Sequence, residues 1–248
     1  MLQKISSTIG IVRTIKNWRI ALLDHAGLLK RPYQCKIRNG LNLNMRSGTD
    51  DRHVLFEIFV RDCCGEAEIK PGAIVVDIGA NIGCYSLKAA QKASCVFAFE
   101  PFPANFSALR DNIALNHADN VEIFPLAVSN KSGTAVMFIP DDDSYLGRIS
   151  LHPGRGTRTT EGECITLDEI VRRADLDKID VLKIDCQGAE YEILYGAASE
   201  TLGRIKQIIT ECERYDEPPE WSIQALSLYL QNHQFKVRTH GNLLYAWQ

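Results

Sequence analysis

From about residue 73 to its end, the 248-residue chain alternates short apolar runs with stretches of helical spacing, and this rhythm limits the fold more than any other feature. Residues 73–77 form an apolar run closed by Asp77, followed by glycine-rich punctuation and then helical spacing over 82–93. A second run, 95–100, ends at Glu100 and leads into a helix in which Phe106, Leu109 and Ile113 recur at steps of three and four, with Pro103 suited to its first turn. Residues 121–125 and 134–139 read as further strands, and 140–163 as a polar, glycine-rich loop of a length that is usually functional. Helix 167–174, strand 179–185, helix 190–195, strand 207–213 and helix 222–232 continue the pattern. The chain closes on a hairpin, 235–238 and 243–247, around His240-Gly241-Asn242. Parallel strands need crossover helices and a hairpin does not, so the expectation is an α/β fold with a doubly wound, mostly parallel sheet and a reversed strand at its C-terminal end.

Residues 1–70 lack this rhythm. Loose helical spacing over 1–30, a hairpin over 34–46 around Asn39-Gly40 and a helix over 51–61 predict an N-terminal helical and hairpin lid, with a Rossmann-like domain over 71–248. Residues 1–46 hold nine basic side chains against Asp24 alone, while the rest of the chain holds 19 basic and 30 acidic ones. The net charge of −3 offers nucleic acid no general attraction, but the basic end could meet an acidic surface, lipid or glycan as a peripheral contact. That end has the acid-poor composition of a mitochondrial presequence; Lys16 and Arg19 interrupt every apolar run, so there is no secretory signal core. No stretch approaches the ~20 apolar residues of a membrane span. Eight cysteines without a C-x-x-C, two of them adjacent at Cys63-Cys64, suit neither a disulfide framework nor zinc, and they read as reduced thiols of a cytoplasmic protein.

In open α/β sheets ligands bind beyond the carboxyl ends of the strands. There the first loop reads Asp77-Ile78-Gly79-Ala80-Asn81-Ile82-Gly83, with Asn81 where a pyrophosphate-binding G-x-G-x-x-G has its second glycine. A dinucleotide is therefore disfavoured. What is left is a glycine turn, an acid that could face an ammonium, and a helix N-terminus that could hold a carboxylate. Glu100 follows Asp77 by 23 residues, where an acid can accept hydrogen bonds from ribose hydroxyls. An amino acid joined to a nucleoside is S-adenosylmethionine.

At these residues the sequence resembles the FkbM methyltransferases. The resemblance runs from about Arg46 to Tyr245 and is carried by Val76-Asp77-Ile78-Gly79-Ala80-Asn81-Ile82-Gly83, Phe99-Glu100-Pro101 with Asn105, Ala127-Val128-Ser129, and Ile179 to Asp185 continuing into Gly188-Ala189-Glu190. It implies a class I methyltransferase sheet of seven strands in the order 3-2-1-4-5-7-6, with S-adenosylmethionine over strands one and two. Asp77, Gly79, Asn81 and Gly83 would form the methionine loop, Glu100 with Pro101 the ribose contact, and Ala127 and Val128 part of the adenine wall. Asp51 would begin the lid helix. Many relatives carry an aromatic residue near Cys64 and an acid at the position of Gln187, so this chain departs from them near the acceptor pocket.

Lys183 interrupts a strand that should be buried on both faces, so a partner is expected among Asp185, Glu190 and Glu211, either as a structural ion pair or in catalysis. A hydroxyl attacking a methyl group needs a group to take its proton, and Asp185 and Glu211 close adjacent strand ends. Lys183 could orient a carboxylate, or serve as base if burial depresses it. Lys183, Asp185 and Glu211 are thus the candidate catalytic residues, and Asp51, His152 and Glu190 the candidate acceptor contacts. A divalent cation between the carboxylates is the less favoured option, since no ligand cluster has diagnostic spacing. The residues 215–220, Tyr-Asp-Glu-Pro-Pro-Glu, follow the wrong strand for an amino-directed nucleic-acid methyltransferase motif and read as a rigid turn. The expected function is O-methylation of a hydroxyl on a sugar, glycan or polyketide-like natural product. The rivals are a non-catalytic glycan- or lipid-binding protein on the same fold, and an N-methyltransferase acting on nucleic acid or protein.

Overall fold

The computed structural model describes residues 2–153, 156–213 and 219–248, so most of the proline turn at 215–220 lies outside the described residues. The first segment folds as helices α1 (Leu2–Thr14) and α2 (Trp18–His25), a hairpin of β1 (Tyr33–Lys36) and β2 (Asn42–Met45), and α3 (Asp51–Leu55), which runs straight into a π-helical turn, Phe56–Arg61. The wider turn is a departure from the plain helix expected over 51–61, and Asp62, in the left-handed region at φ 54°, ends it.

The alternation then follows the expected course. Strands β3 (Ile74–Ile78), β4 (Cys95–Phe99) and β5 (Val121–Phe124) are linked by helices α4 (Cys84–Ala90) and α5 (Pro103–Leu115). Short strands β6 (Ala127–Ser129), β7 (Gly133–Ile139) and β8 (Arg158–Thr166) precede α6 (Leu167–Arg173), which Thr166 caps by accepting from the Glu169 N–H at 3.1 Å. Strand β9 (Val181–Ile184), helices α7 (Glu190–Gly196) and α8 (Ser199–Gly203), strand β10 (Gln207–Glu211), helix α9 (Ile223–Asn232) and the hairpin of β11 (Lys236–His240) and β12 (Leu243–Trp247) complete the chain.

The main sheet has seven strands in the order β11-β12-β10-β9-β3-β4-β5. Numbered along that sheet, this is the order 3-2-1-4-5-7-6, parallel except that β12 runs antiparallel to both β10 and β11. Alternate residues of its strands feed two cores. Val75, Val96, Val181 and Ile209 face Leu87, Leu109 and the N-terminal cover, where Ile11, Ile15, Leu43 and Met45 join the same buried cluster. Val76, Ile78, Leu182, Ile184 and Ile208 face Ile170, Ile193, Leu226 and Leu230 on the other side. The cover is held closely: a Cβ on Gly10 of α1 would stand 2.5 Å from Val60 Cγ1 of the π turn, so glycine there lets the Val60 side chain pack onto the helix backbone.

One expectation is corrected. Residues 140–163 are not all loop, because β8 pairs antiparallel with the whole of β7 and parallel with β6 in a separate three-stranded sheet. Only Cys164 and Ile165 of β8 are buried, so its sequence carries little apolar signal and reads as polar connection.

Candidate active site

The carboxyl ends of β3, β4, β9 and β10 converge on one cavity of ≈440 Å³, within the roughly 300–1,000 Å³ usual for small-molecule sites. Register sets its floor. Asp77 on β3 lies directly across from Lys183 on β9, so both side chains fall on the same face. Lys183 Nζ stands 3.2 Å from Asp77 Oδ1 and 3.6 Å from Asp185 Oδ2, and it donates to the Gly79 carbonyl at 3.0 Å. Burial alone would push the Lys183 ammonium down, but the carboxylates of Asp77 and Asp185 outweigh it and hold the group above its ordinary range. Lys183 is thus held as a cation between the two carboxylates. Asp77 is fully buried and also accepts from Ser86 Oγ at 2.6 Å.

Above this floor the β3 turn reverses at Gly79, whose φ is +77°. A Cβ there would lie 1.9 Å from the Asp185 carbonyl oxygen, so the crossing of the two strand-end loops requires glycine. The N–H groups of Gly79 and Ala80 both donate to the Phe99 carbonyl, at 2.9 and 3.0 Å, which fixes the turn against the end of β4. There Glu100 accepts from the Asn81 N–H at 2.9 Å and the Phe102 N–H at 3.0 Å. Burial raises its carboxyl to about 7, against the lowering effect of those two N–H groups. Asn81 takes a left-handed φ of 51°, and its buried Oδ1 has no hydrogen-bond partner. Ala127, Val128 and Met137 add an apolar wall.

A lid closes over this end. Asp50 accepts from the Gly147 N–H at 2.9 and 3.0 Å through its two oxygens, and the Asn105 amide donates to the Leu146 carbonyl at 3.0 Å. Asp51 turns away from the cavity to pair with Arg46, at 2.7 Å between Oδ1 and the guanidinium and 2.9 Å from the Arg46 N–H.

At the opposite end Glu57, Asp185, Glu211 and Glu213 line the cavity with Cys63, Cys64 and Tyr85. Burial first, then the charges of Asp185 and Glu57, raise Glu211 to about 7, although Asn242 donates to its Oε1 at 2.5 Å. Glu57 is raised too, by burial and then by Asp185. Cys63 and Cys64 hold their sulfurs 3.7 Å apart, and the Cys63 thiol is lowered by its hydrogen bond to Cys64. Cys64 is raised correspondingly. All eight cysteines are free.

Of the residues singled out in the sequence, Gly79, Asn81, Glu100, Pro101, Ala127, Val128, Lys183, Asp185 and Glu211 line the cavity. Asp77 and Gly83 stand behind it, Asp77 under Lys183 and Gly83 at the start of α4, where a Cβ would press on Leu109 at 2.7 Å. Asp51 is replaced at the cavity by its neighbour Asp50, because its carboxylate is consumed by Arg46. His152 lies outside the lining, edge-on to Trp221 at 4.8 Å. Glu190 is fully buried behind the strand ends, accepting from the N–H groups of Gly188 at 2.7 Å and Glu213 at 2.6 Å. It is not among the partners of Lys183, and neither is Glu211. The sequence reading missed Asp50, Glu57, Tyr85 and Arg148. For Asp50 the proximity to Asp51 was the available signal; Glu57 had none, since it is the π turn that positions it. Among the described residues no group of three or more His, Cys, Asp or Glu side chains could hold a metal ion, and no helix is long and apolar enough to cross a membrane.

Residues 77–237 match the model of the methyltransferase FkbM domain. The chain is 29% identical over 245 residues to the AMB antimetabolite synthetase AmbE of Pseudomonas aeruginosa, a match that covers 83% of this chain and only 11% of that protein. It is 26% identical over 246 residues to the 31-O-demethyl-FK506 methyltransferase FkbM of Streptomyces tacrolimicus, covering 85% of this chain and 92% of that one. Over 173 residues it is 28% identical to the hexuronic acid methyltransferase AglP of Haloferax volcanii, covering 65% of this chain and 68% of the relative.

Proposed function

The chain belongs to the FkbM methyltransferase family, and from that premise we propose that it methylates a hydroxyl of a sugar, glycan or polyketide-like natural product with S-adenosylmethionine as donor. The observation that carries the donor assignment is Glu100 at the lip of β4, beside the glycine turn and the unpartnered Asn81 Oδ1. An acid at that strand end suits a ribose diol, the Gly79–Asn81 turn leaves room for an amino-acid moiety, and Ala127 and Val128 offer an apolar wall to a base. The residues present therefore fit the donor. When bound it supplies a methyl group made electrophilic by a sulfonium.

The remaining chemistry belongs to side chains at the other end. Holding an acceptor oxygen in line with the methyl group supplies much of the acceleration in a displacement of this kind. Glu211, raised to about 7, is placed to take the hydroxyl proton near neutral pH, where a base is most effective. Lys183 keeps Asp77 and Asp185 in place as their shared cation. Support for a hydroxyl acceptor comes from the name of the Streptomyces relative, and support for a sugar from that of AglP. The non-catalytic glycan- or lipid-binding reading finds no support in family or site.

Calorimetric titration of the full chain with S-adenosylmethionine and with S-adenosylhomocysteine tests the donor. Both should bind, and Glu100→Ala should weaken each at least about tenfold, the loss of a charge-assisted contact. Binding of neither ligand to the folded protein would overturn the reading.

A further inference from the structure

Tyr85 sits in the first turn of α4, is 3% exposed, lines the cavity, and its hydroxyl has no hydrogen-bond partner. A buried phenol is normally paired, and an unpaired one in a native fold asks for an explanation, of which a missing ligand is one. Its surroundings say which end of the cavity it serves. Cys63, Cys64 and Lys183 line the same cavity and, together with Asp77, bear on the phenol electrostatically. Cys63 and Lys183 bear in turn on Glu57 and Asp185. Tyr85 thus belongs with the carboxylates and not with Glu100 and the donor end.

The carboxylates there are in excess. Glu57 is carried into the cavity by the π turn Phe56–Arg61, a device that recurs at functional sites. The charge of Asp185 raises both Glu57 and Glu211, and the charge of Glu57 adds to the rise at Glu211. Of the cations that bear on Glu57, Arg61 is exposed outside the lining, Arg148 lines the cavity, and Lys183 is already shared by Asp77 and Asp185.

We propose that Tyr85, Glu57 and Glu211 form the acceptor subsite for a neutral polyol, with the phenol donating to one acceptor oxygen and the carboxylates accepting from the hydroxyls beside it. The same carboxylates reject an acceptor that carries its own carboxylate next to the reacting hydroxyl, since like charges would be brought together in a poorly solvated space. This inference rests on the methyltransferase reading above, because the donor must fill the Gly79–Glu100 end.

Saturation-transfer NMR on the full chain saturated with S-adenosylhomocysteine tests it, using methyl glucoside and methyl glucuronide as probes. The glucoside should bind at least about fivefold more tightly than the glucuronide. Tyr85→Phe should weaken the glucoside by about fivefold, as for one hydrogen bond, and leave S-adenosylhomocysteine affinity by calorimetry unchanged. Without ligands the same variant should melt no lower than the wild type, because the lost hydroxyl had no partner. Glu57→Gln should bring the two probes to nearly equal affinity. Equal binding of the probes to the wild type, or binding of neither, overturns the proposal, as does a Tyr85→Phe effect confined to the donor or a lowered melting point in that variant. Failure of S-adenosylhomocysteine itself to bind would instead sink the methyltransferase reading.

Discussion

At the scale of single residues, the site depends on a buried ion pair that the sequence half disclosed. A lysine in an apolar strand signals a partner, and the acids named for it were those downstream in sequence. Its closest partner is instead Asp77, brought alongside by parallel register, a relation between strands that are distant in the chain. Because Asp77 is fully buried, removing its cation leaves a charge with only the Ser86 hydroxyl for support. Breaking such a pair costs about 3–5 kcal/mol, whereas replacing both members by apolar groups is often nearly neutral. Lys183→Met should therefore lose about 3–5 kcal/mol in urea unfolding, and the double variant Asp77→Leu with Lys183→Met should recover most of it. A single-variant loss below about 1 kcal/mol would show that the pair behaves as an exposed one.

At the scale of elements, legibility followed apolar periodicity. The strands and helices of the main sheet are long enough in Val, Ile and Leu to be read directly, and their order in the sheet is the one the family resemblance implied. Strand β8 was not legible, because its hydrogen bonds are made to β7 and β6 while only its Cys164 and Ile165 are buried. The π turn was equally silent, as one extra residue in a helical turn leaves no compositional mark, and with it went Glu57 and the carboxylate-lined end of the cavity. The glycines carry two different signals that a sequence does not separate. Gly79 combines a left-handed φ with a backbone oxygen 1.9 Å from where a Cβ would sit, whereas Gly203, in α8, has nothing within 4 Å. Gly79→Ala must move the β9 end and should abolish measurable S-adenosylmethionine binding while costing upwards of about 2 kcal/mol of stability. Gly203→Ala should be neutral or stabilising by about 0.5–1 kcal/mol. Thermal and urea unfolding of the pair, with calorimetry on each, checks this, and Gly79→Ala behaving like Gly203→Ala would remove the case for a backbone crossing at the turn.

At the scale of the molecule, function and stability meet in the carboxyl groups that burial has made reluctant to ionise. Glu100 and Glu211 are raised to about 7 and Glu190 to about 8, in each case chiefly by burial. In the unfolded chain the same groups ionise near about 4.3. Between these limits the folded protein retains protons that the unfolded chain has released, so raising the pH draws the equilibrium toward the unfolded state. The stability these groups contribute is complete below the unfolded value, is lost as pH climbs toward about 7 to 8, and levels off above that. His53 acts in the opposite sense, because burial holds its imidazole below the ordinary 6.5 and acidification then favours the unfolded chain; its effect belongs to one partly buried ring against the buried Glu100 and Glu190 and the half-buried Glu211. The melting temperature of the ligand-free protein should therefore fall steadily from about pH 5.5 to about pH 8.5. The slope should be shallower in Glu190→Gln, whose side chain can no longer titrate, although its single amide oxygen can accept from only one of the Gly188 and Glu213 N–H groups. A profile that is flat or rises over this range would mean that these carboxyls ionise in the folded state as freely as in water, and Glu211 would then lose its standing as a base poised near neutral pH. Glu100 and Glu211 line the cavity and Glu190 lies behind the same strand ends, so carboxyls that hold a proton near neutrality there carry a stability cost that grows as the proton leaves.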